Sequence, residues 1–136
     1  LLSRVTQTKG KGDMRYVGIG TGMNSLIRPA LYGSYHEIVN LSKVDEAPTE
    51  TVTVVGPICE TGDFLARDRE MVDVRNGDLL AVMSTGAYGF SMSSNYCSRP
   101  RVAEVMASED RFYVIRARQG YEDLVGGETV PPFLEE

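Results

Sequence analysis

The stretch Thr51-Val52-Thr53-Val54-Val55-Gly56-Pro57-Ile58-Cys59-Glu60-Thr61-Gly62-Asp63 decides how the rest of the chain is read. Its first five residues are all β-branched, which suits a pleated, half-buried strand. Glycine then bounds the next segment at Gly56 and Gly62, and Pro57 removes a backbone donor, so no regular element continues through it. A strand that delivers a thiol and a carboxylate onto a stiff loop has two readings. Cys59 and Glu60 can serve as proton donor and cation anchor, since catalytic groups often sit on loops held by a rigid scaffold. Alternatively, Cys59 is a small buried apolar residue and Glu60 a solvated charge.

Working outward, the same strand-and-turn grammar recurs. Leu1–Lys9 reads as a strand, followed by a polar turn at Gly10–Asp13 and a second strand at Met14–Gly20. Met23–Tyr35 contains Pro29, which limits any helix to a turn at Asn24–Ile27. Glu37–Leu41 is a short strand and Ser42–Glu50 a charged loop. Asp78–Ser84 is nearly continuously apolar and too short for a typical helix, so it reads as a buried strand. Arg101–Ala107 and Arg111–Arg118 read as two strands about a Ser108-Glu109-Asp110 turn. There Phe112, Val114 and Ile115 suggest one buried face, with Tyr113, Arg116 and Arg118 on the wet side. Tyr121–Val125 suits a helical turn. Seven or eight short strands without βαβ alternation predict an all-β, Greek-key-like barrel or sandwich in one domain spanning 1–136.

Composition narrows the function classes. A net charge of −5 with scattered basic residues argues against nucleic acid, whose affinity comes mainly from Lys and Arg on phosphates. No apolar run approaches the roughly 20 residues a membrane helix needs. One histidine, His36, and two separated cysteines, Cys59 and Cys97, give no zinc spacing. Two cysteines are too few for a disulfide scaffold and read as reduced cytosolic thiols, although a Cys59–Cys97 bridge stays open.

Other constellations carry chemistry of their own. Gly18-Ile19-Gly20-Thr21-Gly22 lacks glycine at the sixth place of a dinucleotide fingerprint, where Met23 stands, and reads as a turning strand end. Arg28 and Tyr32 flank Pro29; the guanidinium fork suits a carboxylate, or a plain surface salt bridge. Tyr88, between Ala87 and Gly89, is flanked by residues small enough to let a ligand approach, or is a packed barrel-mouth tyrosine.

Three segments, taken in order and spacing, resemble one family. They are Gly22-Met23-Asn24 through Arg28-Pro29-Ala30-Leu31-Tyr32-Gly33; Gly56 through Asp63; and Gly86-Ala87-Tyr88-Gly89 through Ser93-Ser94-Asn95-Tyr96 to Ser98-Arg99-Pro100. The chain is similar to the C-terminal β-domain of the diaminopimelate decarboxylases, within the pyridoxal-phosphate decarboxylases for ornithine, arginine and diaminopimelate. Two positions depart from the family pattern: Gly20, where Asp is common, and Cys97, where Asn is common.

The resemblance implies a two-domain enzyme. An N-terminal (β/α)8 barrel would hold pyridoxal 5'-phosphate on a lysine, and this chain would be the C-terminal domain. The implied reaction converts meso-2,6-diaminopimelate to L-lysine and CO2 in a homodimer whose active site is shared across the interface. Arg28 would pair with the carboxylate at the non-reacting end of the substrate, supported by Tyr32, and Glu60 would hold the ammonium there. Cys59 would be the catalytic acid, and Tyr88 would touch both cofactor and substrate. A cytoplasmic setting follows, or a plastid in a plant.

The residues themselves point to a piece of a longer chain. Leu1-Leu2-Ser3-Arg4-Val5 opens on a strand already under way. Lys9, Lys11 and Lys43 all sit in or beside polar loops, where no cofactor-binding lysine is expected. The isolated chain is therefore expected to be inactive. Two alternatives remain: a sister ornithine- or arginine-type decarboxylase, and a non-enzymatic β-barrel interaction module.

Overall fold

A computed structural model describes residues 1–134 as two units, Leu1–Ser93 and a second beginning at Ser94. The first unit is a six-stranded, barrel-like sheet in the order β3-β6-β1-β2-β4-β5. β1 (Leu2–Lys11) runs two residues further than the sequence suggested and turns tightly into β2 (Met14–Ile19), with Gly12 at φ +59. That conformation costs glycine nothing and most other residues a clash.

The start of β1 pairs with β6 (Leu79–Val82), Leu2 opposite Ala81, and the remainder pairs with β2. Between the two, the register slips from Val5 to Gln7. Such a bulge bends and twists its strand, and here it curves the sheet from one neighbour to the other. Gly18 lies opposite, where a side chain would press on Gln7 Cγ. The glycine-dense end of β2 is thus a feature of strand packing.

β2 pairs in parallel with β4 (Glu50–Val55), Arg15 opposite Val52 and Gly18 opposite Val55. Parallel neighbours require a long crossover. The crossover carries α1 (Arg28–Tyr32) and β3 (Ile38–Asn40), which pairs with β6. In β4, Val52 and Val54 point into the core while Thr51 faces out. They pack with Val5, Val17, Ile19, Leu26, Leu65, Leu80 and Val82, and this cluster is the apolar centre of the unit.

Two elements differ from the sequence expectation. The helix lies at Arg28–Tyr32 and not at Asn24–Ile27, because Pro29 opens it in the first turn. A proline there sacrifices an N–H that has no helical partner anyway, and its φ suits the helix. Gly33, at φ 63, ends the helix and donates its N–H back to Pro29 O at 3.1 Å. Residues 64–71, which carried no sequence signal, form β5 (Phe64–Met71) against β4. The register slips between Val52 and Val54, where Asp68 takes φ 48, and this bulge with its charged run breaks the alternation a strand would show.

The second unit contains a hairpin of β7 (Glu104–Ser108) and β8 (Arg111–Arg116), with Glu109 at φ 54 in its turn, and a short helix α2 (Glu122–Val125). The expected buried face is absent: Phe112 is 79% and Val114 69% exposed. Local β-propensity and cross-strand pairing make the hairpin, and the alternation reflects no core within the described residues. Asn95 Nδ2 bonds Arg99 O and Gln119 Oε1, which satisfies one of the polar groups after Tyr88.

Candidate active site

The sheet topology of the first unit brings the Arg28 segment, the Cys59-Glu60 loop and the Tyr88 loop to one end of the sheet. β2, β4 and β6 all run in the same direction, since β2 is parallel to β4 and β1 is antiparallel to both β2 and β6. The segment to Arg28 follows β2, the Cys59-Glu60 loop follows β4, and the Tyr88 loop follows β6. All three therefore leave the sheet at its same end.

Within that end, the guanidinium of Arg28 lies over the ring of Tyr88, 4.6 Å from its centroid. A cation over an aromatic face is attracted by the ring quadrupole. The other contact of Arg28 is a long hydrogen bond from Nη2 to Ser34 Oγ at 3.4 Å. Its Nε is buried with no partner, and among the described residues no acidic side chain pairs with it. A guanidinium offers five donors in a planar fork. An arginine left so unsatisfied beside an exposed tyrosine is suited to a carboxylate, and the surface-salt-bridge reading is not what the structure has.

The loop Gly56–Asp63 is irregular, as its glycines and proline dictate. It closes on itself through Gly56 N–H to Asp63 O and Asp63 N–H to Glu60 O, both 3.0 Å. Glu60 Oε1 accepts from Gly62 N–H at 3.2 Å. Gly62 packs toward Met23 and Ala30, the latter on the helix that carries Arg28. Cys59 and Glu60 are both exposed, so Cys59 is not a buried apolar filler. Tyr32 closes α1 with its ring solvent-facing, and the polar and ring contacts of Arg28 do not involve it.

Two supports went unrecognised in the sequence. His36 is buried, with Nδ1 2.9 Å from Met83 O. A carbonyl only accepts, so Nδ1 carries the proton. With Met83 N–H bonded to Glu37 O at 2.8 Å, this ties the crossover to the end of β6, just before the Tyr88 loop. Asp63 is the second; it is buried at the base of the Cys59-Glu60 loop. A lone acid closing a glycine-bounded loop was its only signal.

No lysine lies at this end. Lys9 and Lys11 are exposed near the β1–β2 turn, at the opposite end of the sheet. Lys43 Nζ donates to Asp73 O at 2.6 Å and pairs with Asp73 and Asp78, also at that opposite end. Arg15, Glu50, Asp73 and Arg75 complete that charged network. The half-exposed ring of Tyr88 leaves room for a flat aromatic group, but no lysine at this end could attach a pyridoxal group covalently. Among the described residues no cluster of His, Cys, Asp and Glu suits a metal, both cysteines are free, and no helix is long and apolar enough to cross a membrane.

Comparison with known proteins gives a consistent result. The family described as pyridoxal-dependent decarboxylase, C-terminal sheet domain, matches residues 1–86. The diaminopimelate decarboxylase of Archaeoglobus fulgidus is 52% identical over 134 residues, covering 98% of this chain and 32% of that protein. The enzyme of the same name from Methanothermobacter thermautotrophicus is 46% identical, covering 98% of the chain and 31% of that protein. A crystal structure of diaminopimelate decarboxylase from Methanocaldococcus jannaschii superposes with a TM-score of 0.90 at 40% identity, over 98% of this chain and 30% of that one. The chain spans less than a third of the length of these proteins.

Proposed function

The chain belongs to the pyridoxal-dependent decarboxylase C-terminal sheet domains, and from that premise we propose that it supplies the substrate-reading half of a diaminopimelate decarboxylase active site. The observation that carries the reading is the Arg28 guanidinium, stacked on Tyr88 and lacking an acidic partner among the described residues. It awaits a carboxylate, and meso-2,6-diaminopimelate has one at the end that does not react.

Arg28 binds that distal carboxylate through its fork, and Tyr32, at the end of the same helix, lines the approach. Glu60 holds the ammonium on the same carbon, and the carboxylate read by Arg28, which lysine and ornithine lack at that end, distinguishes diaminopimelate from them. Pyridoxal 5'-phosphate, held by a lysine of the preceding (β/α)8 domain, supplies the electron sink when bound. The Tyr88 ring borders both cofactor and substrate. As the C–C bond to the departing CO2 breaks, its electron pair stays on the substrate carbon, and the Cys59 thiol delivers a proton there, giving L-lysine.

The exposure of Cys59 and Glu60 supports a site completed by another surface, the barrel of a second subunit in a homodimer. With Lys43 engaged by Asp73 and Asp78, and Lys9 and Lys11 remote from the site, the chain alone is inactive. The setting is the cytoplasm, where a lysine-forming step draws on soluble metabolites. The test is complementation in trans. The barrel domain expressed without residues 1–136 should release no CO2 from meso-diaminopimelate, and restoring them should restore turnover. A barrel fully active by itself would leave this chain as a non-enzymatic module.

A further inference from the structure

Three residues that the reaction does not use meet at one point. Asp63 is 4% exposed. Its Oδ1 accepts from Met23 N–H and its Oδ2 from Ile58 N–H, each at 2.6 Å. A methyl group on Gly22 or on Gly56 would overlap this carboxylate, and one on Gly56 would also press on Gly22 Cα. No cation pairs with Asp63 among the described residues, so two backbone amides carry the stabilisation of a buried charge.

The two amides belong to different segments. Met23 opens the stretch that becomes α1 and carries Arg28; Ile58 immediately precedes Cys59 and Glu60. One carboxylate therefore spans the gap between the element that would bind the substrate's distal carboxylate and the loop that would bind its ammonium and return its proton. We propose that Asp63 is the positioning residue that holds Cys59 and Glu60 in fixed register with Arg28, through the Met23 and Ile58 amides. The proposal rests on the reading of Arg28, Cys59 and Glu60 given above.

The chemistry of the site requires a short carboxylate. An asparagine offers one acceptor, and its NH2 would face a backbone N–H. A glutamate adds a methylene where Gly22 and Gly56 already leave no room for a methyl. The glycines and the acid thus form one unit: the glycines allow two backbones to close on the carboxylate, and the carboxylate draws their amides together.

The test is Asp63→Asn in the full-length enzyme, with Val54→Ala as a control that weakens the core without touching the loop. Amide exchange at Met23 and Ile58 is expected to quicken by about tenfold or more in Asp63→Asn, the loss expected for a hydrogen bond to a charged group, and to be unchanged relative to other loops in Val54→Ala. With meso-diaminopimelate, Asp63→Asn is expected both to lower kcat and to raise KM, because the displaced loop carries a proton donor and a binding group; Val54→Ala leaves both near the parent values while it stays folded. A folded Asp63→Asn with parental exchange at Met23 and Ile58, or with parental kcat and KM, overturns the proposal. Should Asp63→Asn not fold, the unsubstituted enzyme provides the second measurement. Met23 and Ile58 lie outside the strands, yet their amides should exchange as slowly as those of Val17 and Val54; fast exchange overturns the clamp. Absence of turnover in the parent contradicts the functional reading instead, and the exchange rates, which need no substrate, still decide the clamp.

Discussion

Arg28 and Tyr88, which leave the sheet after β2 and β6 respectively, are stacked with the guanidinium 4.6 Å from the ring centroid. The contact fixes a planar cation without neutralising it. Replacing Arg28 by lysine keeps the charge but loses the fork and the flat face that lies on the ring. Arg28→Lys should therefore raise KM for meso-diaminopimelate by about 10- to 100-fold with a smaller change in kcat, as expected for losing a charge-assisted hydrogen bond in binding. Steady-state kinetics on the full-length enzyme checks this, and an unchanged KM would remove Arg28 from substrate recognition.

How far the sequence alone reached is clear from this pair. Each motif was visible as a local oddity: an arginine beside a proline, a Cys-Glu pair between glycines, a tyrosine among small residues. The strand character of Thr51–Val55 and Asp78–Ser84 was legible because β-branching and apolar runs are local signals. The convergence of the motifs was not, because it follows from the parallel pairing of β2 with β4 and the shared neighbour β1, which are long-range choices. Pro29 was misread as a breaker because a proline opening a helix and one ending it look alike without the helix's position. The β7–β8 hairpin was credited with a buried face because alternation was taken for burial.

Cys59→Ala should separate chemistry from binding. Removing a positioned proton donor typically costs about 10²- to 10⁴-fold in rate. The expected outcome is a fall in kcat with KM for meso-diaminopimelate near the parent value. Equal kcat in variant and parent would take Cys59 out of the proton-donor role.

The charged network at the far end of the sheet predicts an acid-sensitive stability. The hydrogen bond from Arg75 holds the Asp73 carboxyl below its ordinary range, outweighing an upward push from burial, and Lys43 adds to the lowering. Burial pushes Asp78 up, but the Arg75 N–H, the Asn40 amide and the Lys43 charge together leave it lowered. A carboxyl lowered in the folded state makes the unfolded chain bind protons more readily, so stability rises with pH. That contribution is complete above about pH 5 and is lost as pH falls through about 4 and below. Thermal melts across this range should show Tm dropping on the acid side, with a shallower drop in Asp73→Asn/Asp78→Asn. Identical acid limbs would contradict the assignment.

Cys97 takes φ 54 and ψ 36, and Ser98 follows at φ 53. The left-handed region costs most residues roughly 1–2 kcal/mol, whereas asparagine enters it readily. Asparagine, common at this position in the resembling family, suits the backbone better than cysteine. Cys97→Asn should stabilise the chain by about 0.5–1 kcal/mol and raise Tm by a few degrees. An unchanged or lower Tm would show that the strain is relieved elsewhere.

The central claim is that this sheet domain reads the distal end of diaminopimelate. It is tested most directly by measuring CO2 release from the full-length, pyridoxal-loaded enzyme, with meso-diaminopimelate, L-ornithine, L-arginine and L-lysine compared at equal concentration. The account predicts rapid release from meso-diaminopimelate, little from the other three, and loss of that preference in Arg28→Ala, which removes the group that reads the distal carboxylate. Turnover of L-ornithine or L-arginine with none from meso-diaminopimelate would contradict it.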